Sequence, residues 1–166
     1  ILKSMNRKYD LTYFKDKVKV LRKLDSDISL TTDLIVGFPG ETDEYFNETL
    51  NTLKEIKFTK IHTFPYSPRE GTPASKMENQ INGLVKKERV RQVLDLSKQQ
   101  EKEYYNNYIG KVLEGVVEVH KDGKVIVLTS NYISVIVASK IENNTIVKVK
   151  IDRIDDENQV YGSIVK

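Results

Sequence analysis

The sequence predicts an α/β segment followed by a small all-β domain, and three observations support this fold class. Helical and strand patterns alternate over residues 10–66 in the order helix, strand, helix, strand, which is typical of a parallel α/β structure. A long helical pattern then covers residues 84–109. From Gly110 onward the pattern changes to five short β-branched runs, as in a small antiparallel barrel of the OB type. We therefore expect an α/β part at residues 1–83, a linking helix, and a β-barrel at residues 110–166.

The elements of the α/β part follow from apolar spacing and capping residues. Asp10 is expected to cap a helix that ends near Leu24. Residues 28–36 are expected to form a strand, and its apolar end without alternation predicts burial on both faces. Thr42 is expected to cap the second helix, and residues 60–66 to form the second strand.

The five runs after the long helix are predicted to be strands because β-branched residues dominate them. The predicted strands cover residues 112–119, 124–128, 132–137, 145–151 and 160–165. Turn-forming residues separate them, including Asp122-Gly123 and Asn143-Asn144. Five strands in one short segment favour a closed barrel.

Composition excludes several classes of function. The 166 residues include no cysteine, which excludes disulfides, thiolate zinc sites and thiolate-held iron–sulfur clusters within this sequence. The two histidines, His62 and His120, are far apart in sequence, so we expect no metal site. No apolar run approaches the roughly 18–20 residues of a membrane span, and we expect a cytoplasmic protein. The net charge of +3 permits a nucleic-acid partner without requiring one.

The turn after the first predicted strand is the strongest candidate for a ligand site. It contains Gly37, Pro39 and Gly40, which combine close backbone approach with a stiff bend. Ligands of open α/β sheets bind beyond the carboxyl ends of the strands. N–H groups at the start of the following helix can receive a polar group. On spacing alone, a tight turn that binds nothing is the simpler interpretation.

The residue string itself is more specific than the spacing. Residues 35–42 read Ile-Val-Gly-Phe-Pro-Gly-Glu-Thr and resemble the late-barrel signature of radical S-adenosylmethionine (radical SAM) enzymes, in the form used by the tRNA methylthiotransferase family. Residues 64–74 resemble the next strand and loop of that family, and residues 5–9 the segment after its preceding strand. Residues 110–166 resemble TRAM, an RNA-binding β-barrel attached to these enzymes.

The resemblance implies a fold, cofactors and a substrate. The α/β part would be the C-terminal part of a radical SAM partial TIM barrel, followed by a five-stranded OB-like TRAM barrel. The family uses S-adenosyl-L-methionine and two 4Fe-4S clusters held by cysteines that this sequence lacks. Because the sequence also begins at Ile1, we expect a fragment that is inactive without the missing N-terminal half.

Residues 62–67 look most like the branch that methylthiolates N6-threonylcarbamoyladenosine at position 37 of tRNA. The isopentenyladenosine branch and the ribosomal-protein branch remain alternatives. A stand-alone RNA-binding module without catalysis is a further alternative. An unrelated nucleotide-binding α/β domain is disfavoured because no GxxxxGK[ST] phosphate loop is present.

The resemblance also implies site residues. The residues expected to bind S-adenosylmethionine are Arg7, Asp33, Gly37, Phe38, Pro39, Gly40, Phe64, Pro65 and Tyr66. The residues expected to contact RNA are Lys86, Lys87, Arg89, Asn131, Tyr132, Lys148 and Lys150. We expect Glu41 to be structural and His62 to be packed. No catalytic residue and no metal ligand is expected in this sequence.

Overall fold

The computed structural model describes residues 1–121 and 123–165, except for the side chains of His120 and Lys121. The predicted turn residue Asp122 and the side chain of His120 therefore lie outside the described residues. Among the helices that are described, none is both long and apolar enough to cross a membrane.

The helices and strands alternate as predicted in the first half and are followed by five strands in the second. In chain order they are α1 (Leu11–Leu24), β1 (Thr31–Val36), α2 (Asp43–Ile56), β2 (Lys60–Pro65), a 3-10 turn (Pro73–Lys76), α3 (Gly83–Asn106), β3 (Val112–Lys121), β4 (Lys124–Thr129), β5 (Ser134–Val137), β6 (Ile146–Ile154) and β7 (Val160–Val165). The chain divides into two compact units, Ile1–Gln100 and Glu101–Lys166. The expected boundary near Gly110 therefore lies inside the second unit.

Capping side chains start the first two helices where the sequence predicts. The Asp10 carboxylate accepts a hydrogen bond from the backbone N–H of Tyr13 at 2.8 Å. The Thr42 hydroxyl accepts one from the N–H of Tyr45 at 3.3 Å. Helix α2 ends at Ile56, because the left-handed backbone of the next residue, Lys57 (φ 56°), stops the helix.

In the first unit, β1 and β2 form a two-stranded parallel sheet, as predicted. One face of this sheet packs on the helices, and its core side chains have little or no exposure. The core residues are Val18, Val36, Phe46, Leu53, Ile56, Phe58, Ile61 and Val93. Burial of these apolar groups against α1, α2 and α3 supplies the main driving force for the unit.

Two expectations for this unit were wrong. Strand β1 begins at Thr31, not at residue 28. It is also not buried on both faces, because Ile35 is 39% exposed while Val36 is fully buried. The apolar run does not predict which face of β1 is covered, because that depends on its neighbours in space. Among the described residues, β1 pairs with only one strand. The face that carries Ile35 is therefore open.

The second unit is a closed five-stranded barrel with the strand order β3-β4-β5-β7-β6, closing back to β3. Its neighbours are antiparallel except for β5 and β7, which pair in parallel, so the purely antiparallel barrel we expected was wrong in one pair. The interior is filled mainly by valine and isoleucine, and Tyr108 after α3 joins this core. The five strands and their closure agree with an OB-like barrel.

Gly162 shows how tightly the barrel closes. A Cβ atom at this position would lie 2.4 Å from the Lys150 carbonyl oxygen and 2.8 Å from Cγ1 of Val135. Only a residue without a side chain lets β6 and β7 approach at this point, which explains a glycine inside a strand.

Candidate functional site

Three backbone N–H groups of the turn between β1 and α2 donate hydrogen bonds that hold it in place. The N–H of Gly37 donates to Oε2 of Glu41 at 2.6 Å. The N–H of Glu41 donates to the carbonyl of Phe38 at 3.0 Å, and that of Gly40 to the carbonyl of Asn79 at 3.0 Å. The turn is therefore a preformed structure at the carboxyl end of β1, where α/β proteins bind ligands.

A buried ion pair anchors this turn to α3. One guanidinium nitrogen of Arg89 donates to Oε2 of Glu41 at 2.7 Å and to the Glu41 carbonyl at 2.9 Å. The second terminal nitrogen donates to Oδ1 of Asp43 at 2.7 Å. The side chains of Arg89 and Glu41 are only 5% and 3% exposed. Glu41 is thus structural, as expected, and its partner is the arginine of the long helix.

Arg89 was expected on an exposed basic face that contacts RNA, and its burial removes it from any such surface. It belongs to the buried stripe of α3, which consists of Arg89, Val93, Ser97 and Gln100. These four positions have helical spacing, so the sequence contains a pattern that predicts a buried stripe on α3. The charge of Arg89 argues against its burial in that stripe. The neighbouring Lys87 is exposed.

Lys86 also lies at the turn rather than on a separate basic face. Its ammonium group donates to the carbonyl of Tyr66 at 3.0 Å and lies 5.3 Å from the centre of the Tyr66 ring. A Cβ on Gly37 would lie 2.4 Å from Cγ of Lys86. The absence of a side chain at Gly37 (φ +71°) therefore makes room for the aliphatic part of the Lys86 side chain. The sequence predicts instead that this space receives a ligand. Gly40 has open space at its Cα.

The residues expected to bind S-adenosylmethionine separate into buried and exposed groups. Phe38 and Pro39 are buried, and the Phe38 ring meets the Tyr66 ring edge-on with 5.2 Å between centroids. Phe64 is 52% exposed, and Pro65 is also exposed. The hydroxyl of Tyr66 is buried and has no hydrogen-bond partner in the described part of the chain.

The open face of the two-stranded sheet brings several of these residues together. Asp33 pairs in register with His62, and Ile35 pairs with Phe64. All four are exposed, so the packing expected for His62 was wrong. Because alternate residues of a strand share a face, these side chains form one mixed polar and apolar surface. Arg7 is exposed in the segment before α1.

In the barrel unit, the expected RNA contacts have different surroundings. Tyr132 is 74% exposed and has a left-handed backbone (φ 63°). Asn131 is half-buried: its amide donates to the Tyr104 hydroxyl at 3.2 Å, and its carbonyl accepts from the Thr129 hydroxyl at 2.6 Å. Asn131 therefore builds the loop that presents Tyr132. Aromatic rings at such sites can stack on bases.

Lys148 and Lys150 are exposed on the outer face of β6, since the alternating Val149 is fully buried. Together, the two units define a class of protein: an α/β segment with a preformed turn at the carboxyl end of a strand, joined in sequence to an OB-like barrel. Barrels of this type bind oligonucleotides and oligosaccharides.

Comparison with known proteins narrows this class. The chain is 43% identical over 157 residues to threonylcarbamoyladenosine tRNA methylthiotransferase MtaB of Bacillus subtilis, covering 91% of this chain and 35% of the relative. It is 48% identical over 118 residues to tRNA-2-methylthio-N(6)-dimethylallyladenosine synthase of Acetivibrio thermocellus, covering 71% of this chain and 25% of the relative. The synthase of the same name from Aquifex aeolicus is 44% identical over 126 residues, 76% of this chain and 29% of the relative.

No protein-family model matches the chain. The chain spans about a quarter to a third of the length of these curated relatives. Over the part that it spans, the chain belongs to the radical SAM tRNA methylthiotransferase family.

Proposed function

We propose that this chain forms one wall of the S-adenosylmethionine site and the RNA-binding barrel of a cytoplasmic tRNA methylthiotransferase. The whole protein would methylthiolate N6-threonylcarbamoyladenosine at position 37 of tRNA. The observation that carries this proposal is the 43% identity to a threonylcarbamoyladenosine tRNA methylthiotransferase over 91% of the chain. The α/β unit would then be the C-terminal part of the radical SAM partial barrel.

The exposed residues near the turn fit an adenosine. Ile35 and Phe64 lie side by side on the open face and expose apolar surface on which a purine ring can pack. Gly40 leaves its backbone open, since a Cβ there would meet nothing within 4 Å. These residues would orient S-adenosylmethionine and exclude water from one side of it, and Asp33 would supply a carboxylate.

The buried residues of the turn would act indirectly. Phe38 and Pro39 would support the turn from its buried side, and the Glu41–Arg89 pair would fix its backbone. Bound S-adenosylmethionine supplies the radical and the methyl group in this family. The role of this chain would be to hold that molecule in a fixed position, which lowers the entropic cost of reaction.

The iron–sulfur clusters do not fit this chain, because it contains no cysteine. We therefore derive no step through them. The cluster ligands would come from a part of the protein outside this sequence, and the 166-residue chain alone would be inactive. We expect this chain by itself to bind RNA and to catalyse no reaction.

A second candidate substrate is the dimethylallyl-modified adenosine. The 48% identity to a tRNA-2-methylthio-N(6)-dimethylallyladenosine synthase favours it, although that match covers less of the chain, 71%. In both cases tRNA would be the partner, and Tyr132, Lys148 and Lys150 would contribute contacts to it.

The test uses the full-length protein that contains this chain, reconstituted with its clusters and supplied with two tRNAs. One tRNA carries threonylcarbamoyladenosine and the other the dimethylallyl nucleoside. Mass spectrometry of the digested tRNA should find the methylthio product only in the first. Product only in the second would select the other branch, and product in neither would overturn the proposal.

A matched pair of variants tests the cofactor wall. Phe64→Ala should weaken S-adenosylmethionine binding, measured by calorimetry, at least about fivefold, because it removes a stacking surface. Tyr45→Ala removes an aromatic ring of similar exposure, 51%, from α2 and should leave binding unchanged. Equal affinity of both variants would argue against the assignment of Phe64.

A further inference from the structure

We propose that the outer face of β6 binds a single-stranded segment of RNA, with Arg153 stacked on Tyr161 as a platform for an unpaired base. This inference deepens the proposed function by naming the surface and the form of RNA that it receives, and it rests on the tRNA partner proposed above.

Three cations lie on one side of β6. Lys148 and Lys150 point outward because Val149 and Ile151, which alternate with them, are fully buried in the barrel. Side chains two residues apart on a strand are separated by about 6.6 Å. Lys148 and Lys150 are therefore spaced along one line at an interval that a flexible phosphate backbone can follow.

A register shift continues this row to Arg153. The pairing between β6 and β7 shifts between Ile151 and Arg153, so that Asp152 is the extra residue. After the shift, Arg153 pairs with Tyr161. Asp152 is itself exposed, so the row carries one carboxylate between Lys150 and Arg153.

The guanidinium of Arg153 lies over the ring of Tyr161. The central carbon of the guanidinium lies 3.8 Å from the centre of the tyrosine ring. The Tyr161 hydroxyl lies 2.9 Å from Oε1 of Gln159 and 3.2 Å from Oδ2 of Asp155, and these contacts fix the ring. Unpaired RNA bases stack on guanidinium planes and on aromatic rings, so the platform suits a base that is out of a duplex.

Two exposed carboxylates, Glu114 and Asp152, lie next to the row, but neither forms an ion pair with its cations. Among the described residues, no carboxylate lies within ion-pair distance of the three cations. Glu114 is the register partner of Lys148 on β3, and on β7 the partner of Lys150 is the uncharged Ser163. Near the platform, the positive charge of Arg153 is one of the lesser contributions that lower the pKa of Asp155, after a backbone hydrogen bond from Gln159.

Fluorescence anisotropy of the 166-residue chain with labelled oligouridine tests this surface. The variant Lys148→Ala/Lys150→Ala should lower the affinity at least about fivefold and reduce the slope of log K against log salt by about 1.4. The control Lys124→Ala/Lys140→Ala removes the same charge from exposed positions outside β6 in the same unit and should change neither. A duplex of the same length should bind more weakly than the single strand.

Arg153→Lys separates stacking from charge. It keeps the cation but loses the plane, so we expect weaker binding with an unchanged salt slope. Wild-type chain that fails to bind oligouridine at low salt, or an equal loss in the control pair, would overturn the proposed surface. Arg153→Lys that binds like wild type would overturn the platform. None of these results bears on the methylthiolation assay of the full-length protein, which tests the proposed function separately.

Discussion

Arg89 and Glu41 form an ion pair in which both side chains are almost completely buried. Two charges in a low-dielectric site are stable only while each has its partner, since an unpaired buried charge keeps its full desolvation cost. Here the same pair also holds the N–H of Gly37 through Oε2 of Glu41. The geometry of the candidate turn therefore depends on a residue 48 positions further along the chain.

Arg89→Met should lower the free energy of unfolding by about 3–5 kcal/mol, because it leaves the Glu41 carboxylate buried without a compensating cation. Chemical denaturation measures this change. The double variant Glu41→Gln/Arg89→Met should recover part of the loss. Arg91→Ala removes an arginine that is 62% exposed and pairs only on the surface, so it should cost far less than Arg89→Met. Equal costs for Arg89 and Arg91 would contradict the buried pair.

Gly37→Ala should destabilise the first unit by about 1–3 kcal/mol through the left-handed backbone and the contact with the Lys86 stem. Gly40→Ala is the matched control, since its φ is +82° but its Cβ would meet nothing within 4 Å. Its cost should be about 1–2 kcal/mol. In a double-mutant cycle, Lys86→Ala should relieve part of the Gly37→Ala loss. Full additivity would show that the two positions do not interact.

Hydrogen bonds from Arg91 and then Gln92 lower the pKa of Glu88 from its ordinary value of 4.5 to about 2. Since the pKa is lower in the folded chain, the interaction favours folding above the ordinary pKa and is lost as the pH falls from about 4.5 toward 2. An NMR titration of the Glu88 carboxyl should show this low midpoint. In Arg91→Ala the midpoint should rise toward the ordinary value, and an unchanged midpoint would exclude Arg91 as the main cause.

The parts of the fold that sequence predicts best are those fixed by local chemistry. The caps at Asp10 and Thr42, the parallel order of β1 and β2, and the five barrel strands follow from short-range patterns. The open face at Ile35 and the parallel pairing of β5 with β7 depend on which strands are neighbours in space. No local pattern in the sequence carries that information.

The candidate sites show the same division. The turn at Gly37 and the outward lysines of β6 follow from local strings and alternation. The partners of that turn could not be predicted, because Arg89 and Lys86 reach it from a distant helix. Charged residues on a helix predict a solvent-exposed face, whereas Arg89 is buried because its ion pair is formed with a distant part of the chain. Asn131 similarly proved to build its loop, through Tyr104.

Tyr132 should show a conflict between stability and binding. Its left-handed backbone (φ 63°) costs about 1–2 kcal/mol for an ordinary residue but much less for asparagine, and its 74% exposed ring has little packing to lose. Tyr132→Asn should therefore raise the free energy of unfolding by up to about 1 kcal/mol in a denaturant titration.

If the ring stacks on RNA, the same variant should weaken oligouridine binding about fivefold or more. Tyr13→Asn, at a 56% exposed position of α1, should bind RNA like wild type and gain no stability. A Tyr132→Asn chain that is less stable than wild type would show that the ring, rather than the backbone, determines the residue at this position.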